Sequence, residues 1–374
     1  MKFIVNSKLL LAALKSVAPI APKETTIPIL RSLLLELKSG VLRLTATNLN
    51  ETAVRIIPVQ DGSSGAITCP VDKLLHLIES FSPCNLSFRT TEQHLIVNAG
   101  SGEYKIMSDK ADEFPHITRE EYSGKISCSA KEFAAHLSTV GFAVSTDELR
   151  TTLMGVLFEI RENALYLVAT DGHRLARVIN RNIDVIDGKK ELQAIVPIRA
   201  IAFIAKIAKE EETVEMSFGE SAIRFRVGEL TLYSKLIAGF YPNYERVLPK
   251  ECNLFVSALD IDELQSMITR ANIIADEMTH RIQIVFAEKE MEVKAITSEG
   301  EAQEHISVSY KTETQTLTVC CNAGYFIQIL KHLPAERIDL RFKDAGSAML
   351  FVPSVANANS ETMMMLMPIK MENQ

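Results

Sequence analysis

The 374-residue sequence contains no tryptophan, and aromatic residues make up only 6% of it. This shortage weakens any interpretation in which nucleic-acid bases stack on aromatic side chains. Positive charge is not in excess either, because the formal net charge is −7. A surface that is basic all over is therefore excluded. One face of the protein can still be basic, because the net charge does not show how the charges are distributed.

Patterns typical of metal sites are missing. The six cysteines include no C-x-x-C pair, and the eight histidines have no second ligand at metal-site spacing. We therefore predict no metal and no cofactor. Scattered cysteines in a long sequence are typical of reduced thiols, which indicates a cytoplasmic protein. No apolar run reaches the roughly 18 residues of a membrane-spanning helix.

Enzyme motifs are absent as well. The sequence has no G-x-x-x-x-G-K-[ST], no G-x-G-x-x-G and no G-x-S-x-G. The segment ATDGHRLA (169–176) brings Asp171, His173 and Arg174 together behind an apolar strand. An aspartate and a histidine can act as acid and base, but no serine, cysteine or second carboxylate beside them marks a nucleophile. A structural corner and a hydrolase or transferase site both stay open at this point.

What the sequence does contain is one pattern repeated three times, with about 125 residues in each copy. Each copy begins with a short β-like segment, a serine and an amphipathic stretch, as in FIVNSKLLLAALKSV from residue 3. Ser7, Ser129 and Ser257 are predicted to be helix N-caps. Segments that alternate apolar and polar residues follow, with the period of half-buried strands.

A polar corner recurs in all three copies, directly after Ala46, Ala169 and Ala295. The middle copy has ATDGHRLA there, and the other two have ATNLNE and AITSEG. Because the corner recurs without the histidine, we interpret the corner as architectural and Gly-His-Arg as an addition. The repeats predict an α+β fold of three domains, each with two helices and antiparallel sheets. We expect the domains to span residues 1–122, 123–251 and 252–374.

Several segments resemble one known family. They are MKF at the start, TIPIL (26–30), LMGVLFE (153–159), VATDGHRLA (168–176), YPNYERVLP (241–249) and LMPIKM (366–371). Together they resemble the bacterial DNA polymerase III β subunits, the DNA sliding clamps, in all three copies and in order. The resemblance implies a non-catalytic processivity factor of DNA replication, a homodimeric ring that encircles duplex DNA. A scaffold that does not bind DNA is a further alternative.

The resemblance also implies a pocket between the second and third copies. It would tether the replicative polymerase, the clamp loader and other clients through short linear motifs. The residues carried over are Leu153, Thr170, Gly172, His173, Arg174, Leu175, Pro242, Arg246, Val247, Asn322, Tyr325, Met367, Pro368 and Ile369. Glycine lets a backbone approach closely, and the apolar side chains suit an anchor residue. Gly346 and Ala348 stand where some relatives have valine and serine, so we expect an altered subsite.

Sliding requires phosphate contacts without base readout. The candidate DNA-binding residues are Lys23, Arg150, Arg199 and Lys206. The resemblance places the dimer interface at Tyr104 and Ile106 in the first copy and at Ile273 and Ile274 in the third. Pairing of edge strands across the two subunits would protect both edges and close a two-fold ring. Residues 372–374 extend beyond the family's usual end.

Overall fold

The computed structural model describes residues 1–115, 120–188, 191–208, 211–252, 254–311 and 316–370. The first copy contains β1 (Lys2–Asn6), α1 (Ser7–Val17), β2 (Ser32–Lys38), β3 (Val41–Thr47), β4 (Glu51–Pro58), β5 (Gln60–Ser63), β6 (Gly65–Pro70), α2 (Val71–Glu79), β7 (Asn85–Thr90), β8 (His94–Ala99) and β9 (Gly102–Met107). The second contains β10 (Tyr122–Ser129), α3 (Ala130–Gly141), β11 (Gly155–Arg161), β12 (Ala164–Thr170), β13 (Arg174–Asn180), β14 (Ile183–Gly188), β15 (Leu192–Pro197), α4 (Ile198–Ile207), β16 (Thr213–Gly219), β17 (Ala222–Val227) and β18 (Leu230–Lys235). The third contains β19 (Leu254–Asp260), α5 (Ile261–Ile274), β20 (Arg281–Ala287), β21 (Glu290–Ile296), β22 (Glu301–Ser307), β23 (Ser309–Lys311), β24 (Thr316–Asn322), α6 (Ala323–His332), β25 (Arg337–Phe342), β26 (Met349–Pro353) and β27 (Ser360–Leu366). Two helices and antiparallel strands in every copy confirm the predicted α+β fold.

Burial follows the period of each element. In β20 every second residue is buried, and α1 buries Leu10, Ala13, Leu14 and Val17, which are three or four residues apart. One face of each strand and one stripe of each helix thus supply the core. Two pairs of helices pack together, since α1 contacts α2 and α5 contacts α6. None of the helices in the described ranges is long and apolar enough to cross a membrane.

The described chain divides into two compact units. The first comprises Met1–Phe133, Asp184–Lys189 and Lys206–Leu236. It contains a five-stranded sheet, in the order β5-β1-β7-β8-β9, and a nine-stranded sheet, in the order β14-β10-β16-β17-β18-β4-β3-β2-β6. The nine-stranded sheet combines two copies of the repeat, since β4 of the first copy pairs with β18 of the second.

The second unit comprises Ala134–Ile183, Lys190–Ala205 and Ile237–Gln374. Its nine-stranded sheet has the order β15-β11-β12-β13-β27-β26-β25-β19-β23, and its four-stranded sheet has the order β22-β21-β20-β24. Here β13 of the second copy pairs with β27 of the third. The middle copy therefore contributes strands to both units, and each nine-stranded sheet crosses a junction between copies.

The predicted N-cap serine is right for α3 and wrong for α1. Ser129 accepts a backbone N–H in the first turn of α3 at 3.4 Å. The cap of α1 is Asn6, whose side chain accepts the N–H of Lys8 at 3.0 Å. Ser7 instead lies inside the helix, and its hydroxyl accepts the N–H of Cys84 at 3.1 Å. The Ser7 hydroxyl is thus used in a contact with a segment far along the chain, and the cap lies one residue earlier, at Asn6.

The prediction is also wrong for α5, which begins after Asp260. The Asp260 carboxylate accepts the N–H of Glu263 at 3.0 Å, whereas Ser257 lies within β19. The register of β19 shifts before Leu259, and Ala258 has φ +56°. A β-bulge of this kind adds residues to a strand, which moves the helix start from Ser257 to Asp260.

Candidate functional site

The corner between β12 and β13 is held by its own side chains. The Thr170 hydroxyl accepts the N–H of Gly172 at 3.1 Å and donates to the carbonyl of Arg174 at 2.6 Å. Asp171 Oδ1 accepts the N–H groups of His173 and Arg174 at 2.9 and 3.0 Å. Gly172 has φ +90°, in the left-handed region that favours glycine. Local hydrogen bonds thus fix the backbone on which the site is built.

Arg174 is the buried centre of this corner, with only 7% of its surface exposed. Its Nε donates to Asp171 Oδ2 at 3.0 Å, and its guanidinium also donates to the carbonyl of Phe142 at 3.1 Å and to Gln328. The guanidinium carbon lies 5.0 Å from the Phe142 ring centre and 4.7 Å from the Tyr325 ring centre. Both carboxylate oxygens of Asp171 therefore have hydrogen-bond partners within the described structure.

His173 is exposed at the tip of the corner and stacks on Tyr325. The two ring centres are 5.8 Å apart, with 22° between the planes. Tyr325 is positioned by Asn322, which caps α6 by accepting the Tyr325 N–H at 2.9 Å and donates to the Thr279 carbonyl at 2.8 Å. Asn322 thus connects the start of α6 to the turn before β20 and positions the Tyr325 ring that stacks on His173.

The segment after β27 connects this corner to the four-stranded sheet. The N–H of Met367 donates to the carbonyl of His173 at 2.8 Å. Two residues later the N–H of Ile369 donates to the carbonyl of Cys320 at 2.8 Å, on the edge strand β24. Residues 367–370 therefore form one wall of a cavity beside His173 and Tyr325.

The cavity has a volume of about 820 Å³. Six of its lining residues are among those predicted for the pocket: His173, Asn322, Tyr325, Met367, Pro368 and Ile369. Seven others were missed: Asp276, Thr279, Arg281, Gln283, Lys294, Ile296 and Lys370. Four of the missed residues face outward from β20 and β21 at every second position. The alternation in RIQIVFAEKEMEVKAI was the signal that would have found them.

The remaining predicted pocket residues do not line this cavity. Leu153 and Leu175 are buried, and Leu175 packs in an apolar cluster with Tyr244, Met365 and the small Ala348. Pro242, Arg246 and Val247 are exposed on the segment that contains the short 3-10 turn Tyr244–Arg246. These residues form an exposed rim with an apolar cluster behind it.

Tyr241 joins this rim to the corner. Its side chain packs against the apolar cluster, and its hydroxyl accepts the N–H of Thr170 at 3.1 Å. Burial raises the pKa of Tyr241 well above its usual range, and the hydrogen bond from Thr170 opposes that shift. The hydroxyl of Tyr241 therefore keeps its proton further into the alkaline range than that of an exposed tyrosine.

Arg150, a predicted DNA-binding residue, is bound to the same corner. Its Nε pairs with Asp147 at 2.9 Å, and its Nη1 donates to the Asp171 carbonyl at 2.9 Å. A Cβ placed on Gly172 would lie 2.9 Å from that nitrogen. The backbone angle at Gly172 thus favours glycine, and a larger side chain there would also displace the end of Arg150.

The other predicted residues are not among those that line the cavity. Lys23, Arg199 and Lys206 are exposed, the last two on α4. Tyr104 and Ile106 lie on β9, an edge strand of the five-stranded sheet, where Tyr104 is exposed and Ile106 is buried. Ile273 is 76% exposed in the last turn of α5, and the neighbouring Ile274 is half-buried. Residues 372–374 lie outside the described residues.

Comparison with protein families gives three adjacent matches. Residues 1–118 match the N-terminal domain of the DNA polymerase III beta subunit, residues 127–243 its central domain and residues 245–369 its C-terminal domain. The beta sliding clamp of Pseudomonas putida is 30% identical over 99% of this chain and 100% of its own length.

Solved structures of DNA polymerase III beta subunits are similar to this chain over nearly its whole length. The DNA polymerase III subunit beta of Pseudomonas aeruginosa bound to griselimycin superposes with a TM-score of 0.92 at 28% identity, and the match covers 99% of this chain and 100% of that one. The Bartonella birtlesii sliding clamp, also bound to griselimycin, has a TM-score of 0.90 at 25% identity with the same coverage. The likeness therefore extends over the whole described fold.

Proposed function

The chain belongs to the DNA polymerase III beta subunit family, and from that premise we propose that it is a sliding clamp. Two copies form a closed ring around duplex DNA, hold it without reading its sequence, and tether the replicative polymerase, the clamp loader and repair proteins. The protein works in the cytoplasm and catalyses no reaction. Its three clamp domains span residues 1–122, 123–251 and 252–374.

The observation that carries the tethering function is the cavity beside the stacked His173 and Tyr325. A client peptide places one anchor side chain in this cavity and another against the rim of Pro242, Arg246 and Val247. Exposed apolar surface next to a few positioned polar groups is typical of peptide-binding sites. Griselimycin binds two relatives of this chain, and we expect it to compete with client peptides here.

Asp171 and Arg174 serve this site structurally. The carboxylate accepts two backbone N–H groups and the guanidinium, and the guanidinium lies between Phe142 and Tyr325. This arrangement supports a docking corner and gives no support to acid–base catalysis by the aspartate.

Contact with DNA is assigned to Lys23, Arg150, Arg199 and Lys206. Contacts with phosphates alone leave the protein free to slide, and they make its retention sensitive to salt. Dimerisation is assigned to β9, with Tyr104 and Ile106, and to the α5 residues Ile273 and Ile274. The edge strands β9 and β22 are both open to pairing with a partner subunit within the described sheets.

The test is retention on DNA of different topology. The full-length protein is loaded by a clamp loader onto nicked circular duplex DNA, separated from free protein, and the DNA is then linearised. We expect retention on circles and release from linear ends. Equal retention on circular and linear DNA contradicts the proposal. The variant with both Ile273→Asp and Ile274→Asp is the control, because a chain that does not dimerise cannot remain on circles.

A further inference from the structure

One side of the cavity is cationic, although the chain as a whole is acidic. Arg281, Lys294 and Lys370 line it, while the net charge of the chain is −7. In the sheet, Arg281 pairs with Asn322 and Lys294 with Gln283, so these side chains share one face at one end of the hairpin. The residues between them on β20 and β21 are buried in the core. Strand register therefore gathers the positive charge at the cavity.

Arg281 carries a positive charge that has no carboxylate partner among the described residues, and its one described side-chain hydrogen bond is weak. Its guanidinium donates to the Cys320 thiol at 3.8 Å, which is a weak acceptor. No described carboxylate forms an ion pair with Arg281 or with Lys370. Lys294 differs, because it pairs with Glu292 at 2.9 Å. Arg281 is thus the group best placed to bind an anion, with Lys370 and Lys294 adding to the local potential.

The one carboxylate that lines the cavity, Asp276, is hydrogen-bonded within its own loop and forms no ion pair with these cations among the described residues. Asp276 Oδ1 accepts the N–H groups of Met278 and Thr279 at 3.2 and 2.9 Å, and the Thr279 hydroxyl at 2.8 Å. These hydrogen bonds, led by that from the Thr279 backbone, hold the pKa of Asp276 below its ordinary value. The carboxylate is turned to its own loop and remains ionised there.

Apolar surface lies directly beside the cations. Ile296 is 64% exposed and Met367 is 37% exposed, and the Tyr325 ring completes this part of the lining. A concave site with aromatic and aliphatic walls suits a peptide side chain better than the phosphates of a sliding duplex. The expected occupant combines an apolar anchor with a neighbouring anion.

We propose that this end of the cavity selects client peptides that carry a carboxylate next to their apolar anchor, and that Arg281 binds that carboxylate. The proposal rests on the proposed client-binding function. A guanidinium can bind a carboxylate through two parallel hydrogen bonds, which gives directional selectivity that a lysine does not. The carboxylate comes either from an aspartate or glutamate side chain or from the C-terminus of the peptide.

The test begins with selection of random dodecapeptides on the full-length protein, from one library with free peptide C-termini and one with blocked C-termini. Binding peptides are measured again on Tyr325→Ala, so that only those that use the cavity are kept. We expect enrichment of aspartate or glutamate beside an apolar residue. Enrichment in the free library alone assigns the carboxylate to the C-terminus. Cavity-dependent peptides with no acidic enrichment in either library overturn the inference and leave the proposed function standing.

Synthetic peptides then test the residue itself. Replacing the selected glutamate by glutamine, or the free C-terminus by an amide, should weaken binding to the unaltered protein about tenfold, within the range for charged hydrogen bonds. On Arg281→Gln the same replacement should change affinity less than twofold. Lys289→Gln is the matched control, because Lys289 is exposed in the turn at the other end of the β20–β21 hairpin. A tenfold effect that persists on Arg281→Gln overturns the assignment.

Two further outcomes are decisive. If no recovered peptide depends on Tyr325, the cavity is not a client site, and the proposed tethering function and the inference fail together. If a short duplex DNA displaces the acidic peptides through Arg281, the anion that this site binds is a phosphate, and the inference fails alone. Circular dichroism of each variant verifies that the fold is retained.

Discussion

The corner between β12 and β13 has a close counterpart in the corner between β3 and β4. In the first copy the Thr47 hydroxyl accepts the N–H of Leu49 at 3.1 Å and donates to the carbonyl of Glu51 at 3.0 Å. Asn48 Oδ1 accepts the N–H groups of Asn50 and Glu51 at 2.9 and 2.7 Å. Every one of these bonds has its equivalent at residues 170–174.

Both corners also bind a neighbouring segment in the same way. The carbonyl of Asn50 accepts the N–H of Lys235 at 2.9 Å, and that of His173 accepts the N–H of Met367 at 2.8 Å. The third residue of each corner has a positive φ, +74° at Leu49 and +90° at Gly172. The first and second copies therefore share the backbone of this corner and its hydrogen bonds.

The side chains at the last three positions separate the two corners. Leucine, asparagine and glutamate in the first become Gly172, His173 and Arg174 in the second. An amide that donates to Glu51 is replaced by a carboxylate that accepts from Arg174. The difference teaches that the same backbone corner can face different surroundings: in the second copy His173 and Arg174 contact Tyr325 and Gln328 of α6, and His173 borders the cavity.

The largest effect should come from Arg174→Ala, which leaves Asp171 without its buried partner. Breaking a buried ion pair costs about 3–5 kcal/mol, and we expect a loss in this range in the free energy of urea unfolding. Glu51→Ala is the matched change in the other corner. It leaves a neutral amide, and the loss should be about 1–2 kcal/mol. Equal losses in the two corners would contradict the distinction drawn between them.

A smaller effect is expected from Gly172→Ala. An alanine at φ +90° is strained, at a cost of about 1–2 kcal/mol, and its Cβ also displaces the end of Arg150. Leu49→Gly, the reverse change at the equivalent position, should alter stability by less than about 1 kcal/mol, because relief of strain offsets the added chain entropy. Thermal unfolding of both variants measures these changes in stability. An unchanged melting temperature for Gly172→Ala would contradict the expected strain.

His173→Ala tests binding and leaves the corner intact. His173 lines the cavity, so its removal takes away one contact for a bound peptide and should weaken cavity-dependent peptides by up to about tenfold. The free energy of unfolding should fall by no more than about 0.5–1.5 kcal/mol, the contribution of stacking on Tyr325. Asn50→Ala is the control and should change neither quantity. A binding loss of the same size in that control shows that the effect is not specific to the site.

The smallest effect concerns pH and Tyr241, whose hydroxyl accepts the Thr170 N–H. Burial raises the pKa of this tyrosine, so as pH rises its hydroxyl loses its proton in the unfolded chain before it does so in the folded protein. The contribution of this pKa difference to the free energy of unfolding is complete below about pH 10 and is lost as pH rises through the folded pKa. At pH 10.5 the loss should be about 0.8 kcal/mol relative to pH 8. Tyr241→Phe should lack this component in urea titrations at the two pH values, and an unchanged pH profile would sink the prediction.

Part of the site was readable from the sequence because its signals are local. The motif around ATDGHRLA located the corner, and LMPIKM located the wall formed by Met367, Pro368 and Ile369. Arg281 and Lys294 were not predicted, because no motif marks them. Their position beside the cavity depends on the pairing of β20 with β21 and β24. The N-cap at Ser257 failed for a related reason, because a bulge in β19 changed the register.

The sequence by itself determined the threefold repeat, the α+β class and the positions of the corners. Alternation, helical periodicity and corner residues act over a few positions, so each copy specifies its own elements. Only the tertiary structure decided that β4 pairs with β18 and β13 with β27, and that one corner of the two borders a cavity with cations on its far side. These features depend on pairing between segments far apart in the chain, whose register is set by packing and carries no local signal.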